Sequence, residues 1–228
     1  MKEHGILFKA EMVRVILNTK LDVWPAEPID PTKPHKCQTR RLVKITHRPI
    51  ADVCRGEPEF IGFNSDGSAQ FRDRLGLLIP IKPPYGPAGD LLWVRETWCS
   101  FGDAGAVWYR AGIPQYRATQ QVGWLDFPYQ LDGTYDPPKD LKWRSPIFMP
   151  RWASRIDLEI KAVRIERLQD ISEDDVIAEG AAIRWPGPEP YPRNLLECYG
   201  ILWDSINRKT LWKTNPYVWV YEFMRVTL

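Results

Sequence analysis

The chain has 228 residues, 44% hydrophobic and 26% charged, which excludes a disordered protein and is long enough to bury a core without disulfides. Its 31 basic and 29 acidic residues leave a net charge of +2, which excludes a polybasic duplex binder, so any nucleic-acid contact must come from a local patch or a pocket. The 21 prolines argue against an all-helical protein. The 11 tryptophans have two readings, core packing or stacking on bases. Cys37, Cys54, Cys99 and Cys198 form no C-x-x-C pair, and His4, His35 and His47 lack zinc-site spacing. No metal or cofactor is therefore expected from spacing, and a reduced, cytoplasmic setting is expected. Met1 to Gly5 is polar and the following apolar stretch is interrupted by Lys9 and Glu11, so neither a signal peptide nor a membrane span is expected.

In chain order, Gly5–Phe8 reads as a short strand and Ala10–Leu17 as a helix with Met12, Val13, Ile16 and Leu17 on its apolar face. Asp22–His35 carries Pro25, Pro28, Pro31 and Pro34 and reads as a loop insertion. Alternation restarts a strand over Gln38–Ile45. Arg48–Asp90 reads as loop-rich, with an Asn64–Gly67 turn between hairpin strands Glu59–Phe63 and Ser68–Arg72, and a further turn at Pro83–Gly86. Leu91–Trp98 reads as one strand, and Phe101–Arg144 as a long irregular region rich in Gly, Pro and aromatics. Arg155–Leu168 reads as a long strand with apolar Ile156, Leu158 and Ile160, then Val163 and Ile165. Ser172 opens a short helix with Asp175 in capping-box position. Arg193–Ile206 reads as a second helix, Trp185–Pro192 as the loop before it, and Tyr217–Val226 as a closing strand. The pattern is α+β: a small barrel or curled sheet flanked by a few helices, with long loops.

The blocks Lys36-Cys37-Gln38-Thr39-Arg40-Arg41, Gly89 to Trp98, Asp170-Ile171-Ser172-Glu173, Ala178-Glu179-Gly180 and Val218 to Phe223 stand in an order that resembles the ASCH superfamily. Met149-Pro150-Arg151-Trp152-Ala153-Ser154-Arg155 is similar to a block of its enlarged bacteriophage and prophage members. The resemblance implies a single PUA-like β-barrel domain over residues 1–228 with insertions at 19–35, 46–88 and 99–146. It also implies a cleft beside the first helix. Members include N4-acetylcytidine amidohydrolases, ribonucleases and RNA-binding modules. In the amidohydrolases a Lys, a Thr and a Glu are assigned to catalysis, and motif matching carries these onto Lys36, Thr39 and Glu179. Two features depart from the family pattern: the Pro-rich stretch before Lys36, and Cys37 where Thr is common.

Thr39 needs a nearby base to act as a nucleophile. Lys36 supplies one if burial or a second cation favours its neutral amine. Glu179 could protonate a leaving amine from a dry site. Lys36 and Thr39 are three apart, so in a regular strand they would face opposite sides and the chain must turn between them. Arg41 shares a face with Thr39 and suits a phosphate or an oxyanion. The bland alternative is a solvated Lys36, a strand Thr39 and a helix-end Glu179. Arg151, Trp152, Ser154 and Arg155 form a second set, read either as a base-stacking and phosphate site or as barrel packing with surface ion pairs. Trp93, Glu96 and Trp98 form a third. Glu96 and Trp98 share parity and either line the pocket or form an exposed face, while one of the two tryptophans belongs to the core.

Three functions fit these features. The first is a hydrolase acting on a modified nucleoside or RNA, with a divalent metal if the chemistry is ribonucleolytic. The second is a non-catalytic reader of RNA or modified bases. The third is a phage accessory protein that docks on a host protein through the aromatic stretch from Trp108 to Tyr135, in the host cytoplasm.

Overall fold

The computed structural model describes residues 1–18, 36–44, 58–101, 106–111, 142–181 and 194–227. The Pro-rich stretch 22–35, Ile45, nearly all of the aromatic stretch beyond Trp108, and Trp185–Pro192 lie outside the described residues. The architecture is mixed α+β, as the alternation of short strands and amphipathic helices implies. Strands β1 (Glu3–Leu7), β2 (Gln38–Leu42), β6 (Leu91–Arg95), β9 (Asp157–Arg167) and β10 (Tyr217–Val226) form one sheet in the order β1-β6-β9-β10-β2. The β1–β6 pair is parallel and the other pairs are antiparallel. Strands β3 (Glu59–Phe63), β4 (Ala69–Arg72) and β5 (Leu78–Ile81) form an antiparallel meander, and β7 (Trp98–Phe101) with β8 (Ala106–Tyr109) a separate hairpin. The described strands form no closed barrel.

Helix α1 (Ala10–Leu17) occupies the expected residues and buries Val13 and Ile16 on the main sheet. Helix α2 (Glu173–Ala178) opens on the expected capping box: the Ser172 hydroxyl accepts from the Asp175 N–H at 3.1 Å, and the Asp175 carboxylate accepts from the Ser172 N–H. Helix α3 (Leu195–Ile206) is capped by Asn194, whose side chain accepts from the Glu197 N–H at 2.8 Å. No described helix is long and apolar enough to cross a membrane.

Strand β10 divides two cores by parity. Trp219, Tyr221 and Phe223 face α1 and the meander, whereas Val218 and Val220 face α2 and α3. Its partner β9 keeps Leu158 and Ile160, then Ile165 and partly buried Val163, in the first core, although the two sets differ in parity. The cause is a β-bulge: Glu222 pairs with Ala162 and Phe223 with Ile160, so Lys161 has no register partner. One extra residue restores the inward face after the shift.

Two strand readings change. The expected strand Leu91–Trp98 breaks at Glu96–Thr97, where the chain leaves the main sheet for the β7–β8 hairpin. The loop-rich reading of Arg48–Asp90 omitted β5, whose Pro80 and four-residue length weaken the strand signal; Pro80 pairs with Gln70 at the edge of the meander.

Deleting Lys161 should leave Val163 and Ile165 on the inward face, because a single residue then separates Ile160 from Val163 as regular alternation requires, and should cost well under the roughly 3–6 kcal/mol in urea unfolding that exposing both aliphatic side chains would forfeit. Lys161→Ala, which keeps the residue count, should cost under about 1 kcal/mol.

Candidate functional site

A cleft of about 920 Å³ borders β2, an edge strand of the described sheet, and residues from both of its faces reach it. Lys36, Thr39 and Glu179 all line it, together with Arg41. The expected conflict between Lys36 and Thr39 is absent because Lys36 precedes β2 and is free of strand parity. Its backbone is fixed on both sides. The Cys37 N–H donates to the Ala178 carbonyl at the end of α2 (3.0 Å), and the Cys37 carbonyl accepts from the Phe223 N–H (2.8 Å).

The Lys36 side chain is 2% exposed. Its Nζ donates to the Glu179 Oε2 at 2.7 Å and to the Glu179 backbone carbonyl at 2.7 Å. The same ammonium lies 5.8 Å from the centroid of the Phe8 ring. Burial pushes the Lys36 pKa below the ordinary lysine value, and the Glu179 carboxylate opposes that shift. Cys37, beside it, is pushed up to about 11 by burial, against the opposing pull of Lys36. Its thiol is therefore protonated at neutral pH and is a poor nucleophile.

Glu179 stands at the end of α2 because the helix closes there on a Schellman motif. The Gly180 N–H donates to the Ile177 carbonyl (2.8 Å) and the Ala181 N–H to the Val176 carbonyl (3.1 Å). Gly180 has φ +72°, and a Cβ there would meet Val15 Cγ1 at 2.9 Å and Lys36 Cβ at 3.3 Å. Glycine thus lets α1, the Lys36 segment and the Glu179 turn approach each other.

Arg40 was absent from the expected site and proves central to it. Its buried guanidinium donates to Glu179 Oε1 (3.3 Å), Glu166 Oε1 (2.9 Å from Nε) and Asp175 Oδ2 (3.0 Å). Burial opposes its charge, but Glu179, Tyr199 and Glu166 together raise its pKa. Arg164 extends the lattice to Glu166, Asp175 and Glu222. The capping-box aspartate thus also holds two arginines. The sequence signal for Arg40 was its position on the inward face of a strand, where an arginine requires carboxylates. Arg41, on the other face, donates to the Leu7 carbonyl (3.0 Å) and lies 5.3 Å from the Phe8 ring centroid.

The remaining expected residues do not line this cleft. Glu96 and Arg155 form a buried bidentate pair (2.8 and 3.0 Å) beneath Tyr109, whose ring lies 4.1 Å from the Arg155 guanidinium. Burial raises the Glu96 pKa against the pull of Arg155. Shared parity did not bring Glu96 and Trp98 to the pocket, because the strand ends between them; Thr97 is the residue that lines it. Trp98 is buried with Met149, Val107 and Tyr109. Trp93 is buried beneath the Arg95 guanidinium at 4.5 Å. Arg151 pairs with Glu3 and Asp157, both at 2.8 Å, and the buried Ser154 hydroxyl donates to the Val94 carbonyl at 3.0 Å. Trp152 is 52% exposed and meets Trp98 edge-on at 6.0 Å between centroids.

No group of His, Cys, Asp or Glu side chains arranged to hold a metal occurs among the described residues. No family model, curated protein or solved structure matches the chain.

Gly180→Ala should destabilise the protein by about 2–4 kcal/mol, the sum of a left-handed backbone penalty and an overpacked contact, read as a lower urea midpoint at unchanged slope. Glu96→Ala should cost about 3–5 kcal/mol by removing the carboxylate that meets the buried Arg155 guanidinium in two hydrogen bonds.

Proposed function

We propose that the chain is an ASCH-like protein that takes a cytidine-type base into the β2 cleft and hydrolyses its N4-acetyl amide, through Lys36, Thr39 and Glu179. The observation that carries this reading is the meeting of the three motif-matched residues at one cleft, two of them 2.7 Å apart across 143 positions of sequence. A PUA-like barrel belongs to the same proposal. It is supported by the five-stranded sheet and by α1, whose first residue, Ala10, borders the cleft beside Lys9. On this reading the protein works in a bacterial cytoplasm.

The chemistry follows from the pair. Passing one proton along the 2.7 Å bond from the Lys36 ammonium to the Glu179 carboxylate leaves a neutral amine and a neutral acid, and a dry site favours that neutral pair. The amine then takes the Thr39 hydroxyl proton as Oγ1 attacks the acetyl carbonyl carbon. Arg41 steadies the oxyanion. The Glu179 acid gives its proton to the departing N4, the C–N bond breaks, and cytidine leaves. Water then cleaves the Thr39 acetyl ester: one of its protons restores the hydroxyl, its oxygen leaves in acetate, and its second proton passes to solvent. Arg40 acts as a positioning residue, holding the Glu179 oxygen that Lys36 does not use.

A second reading is a base reader without chemistry. The closed lattice around Glu179 favours it, since a charged pair fully served by hydrogen bonds resists the proton transfer.

Incubation with N4-acetylcytidine should release acetate, and Lys36→Met and Thr39→Ala should each lower kcat by about 10²–10⁴-fold. The rate should fall as pH rises and the pair loses its shared proton, because none is then left for the departing N4, and the fall should set in below the ordinary lysine pKa of 10.5, because burial lowers the Lys36 value. Parallel incubations with single-stranded and structured RNA, with and without a divalent metal, test the ribonuclease branch. Tight base binding without turnover above the Lys36→Met control in any of these assays selects the reader.

A further inference from the structure

Three buried or half-buried arginines away from the cleft are matched. Arg151, Arg155 and Arg164 each meet at least one carboxylate within 3.1 Å. The cations around the cleft are different. Lys9, Lys44, Lys82 and Arg110 are exposed lining residues, and Arg41 is half-buried between them and the buried Lys36. None of these five forms an ion pair among the described residues. Lys82 reaches Asp66 only through space. Glu179 supplies the carboxylate among the lining residues, and both of its oxygens are taken, by Lys36 and by Arg40. The buried Nε of Arg41 has no hydrogen-bond partner, so a donor waits beside the cleft for an acceptor.

Unmatched cations converging on a concave, low-dielectric surface focus a positive potential into it and draw in an anion. Phe8, Tyr85 and Trp219 supply apolar walls in the same cleft. A multiply charged ligand with a flat, uncharged end fits both features. A neutral nucleoside would satisfy only the walls.

We infer that the cleft selects a phosphate-bearing ligand, a nucleotide or a single-stranded RNA segment, with phosphates against Lys44, Lys82, Lys9 and Arg110 and a base directed towards Thr39 and Arg41. The direction of the base rests on the proposed function; the phosphate contact rests on the charge distribution alone. The phosphate site is accordingly the rim of the β2 cleft, and the Arg151–Arg155 block, whose charges are already matched, has no part in it.

The test uses the full chain, a 5′-fluorescein 12-nucleotide single-stranded RNA, and the variant Lys9→Gln/Lys44→Gln/Lys82→Gln. All three side chains are exposed, so the fold tolerates the change. The control is Lys161→Gln, a lysine outside the cleft that is paired with Glu159. Anisotropy should show binding by the wild type and the control. The triple variant should bind at least about tenfold more weakly and show a log–log salt slope shallower by about 2, or 0.7 for each of three lost phosphate contacts. In parallel, kcat/KM for N4-acetylcytidine 5′-monophosphate should exceed that for the free nucleoside at least about tenfold at low salt and converge on it at high salt. Equal RNA binding by wild type and triple variant, or no binding by either, overturns the inference, even if the nucleoside is hydrolysed. Rim-dependent RNA binding with no hydrolysis of any substrate upholds the inference and removes the amidohydrolase reading.

Discussion

Lys36 holds an ammonium group almost out of contact with water, and Glu179 is the carboxylate that makes this tolerable. An isolated charge at that depth would cost several kcal/mol. Two acceptors at 2.7 Å, one carboxylate and one carbonyl, offset much of that cost, and both belong to one residue at the end of a helix. Everything near the cleft is arranged around keeping that residue in place. Arg40 takes the second Glu179 oxygen, and Glu166 and Asp175 hold Arg40 in turn. Asp175 also caps α2, the helix that delivers Glu179. Helix start, helix end and site therefore form one electrostatic unit.

The backbone supports the same end. A glycine in the left-handed region closes α2 and leaves room for Val15 and Lys36. The Cys37 peptide ties the Lys36 segment to both α2 and β10. On β9 the bulge at Lys161 lets one long strand keep its apolar side chains in a single core while Arg164 and Glu166 reach the helix side. At the edge strand β2, Thr39 and Arg41 on one face and Arg40 on the other share a cleft that Lys36 bridges.

Much of this was legible in the sequence where a local signal and a tertiary role coincide. The face of α1, the capping box at Ser172, the Asn64–Gly67 hairpin and the span of β10 all follow from periodicity and turn chemistry. The parity change between Ile160 and Val163 was visible too, although alternation alone did not say that a bulge resolves it. Lys36, Thr39 and Glu179 were named by motif matching, since no local rule connects residues so far apart, and all three line the cleft. What failed to show was pairing. Arg151 and Arg155 stayed open between a recognition site and ion pairs because Glu3, Asp157 and Glu96 are distant in sequence. Arg40 went unnoticed for the same reason. The break at Glu96–Thr97 defeated the parity argument for Glu96 and Trp98, since it marks a change of sheet that carries no Pro or Gly.

Arg40 and Arg155, each met by a carboxylate, hold the structure, whereas Lys9, Lys44, Lys82 and Arg110 line the cleft with no ion pair among the described residues. The distinction depends on Lys36 and Glu179 being one buried pair, because a Glu179 free of Lys36 would add an acidic group to the cleft. A double-mutant cycle with Lys36→Met and Glu179→Leu, read by urea unfolding, measures that pair directly. Glu179→Leu should cost about 3–5 kcal/mol by removing the carboxylate that meets both Lys36 and Arg40, and Lys36→Met should cost less, because Arg40 still meets Glu179. The double change should cost much less than the sum, with a coupling of at least about 1.5 kcal/mol. Additive single costs, with a coupling near zero, would contradict a buried Lys36–Glu179 pair at the base of the site.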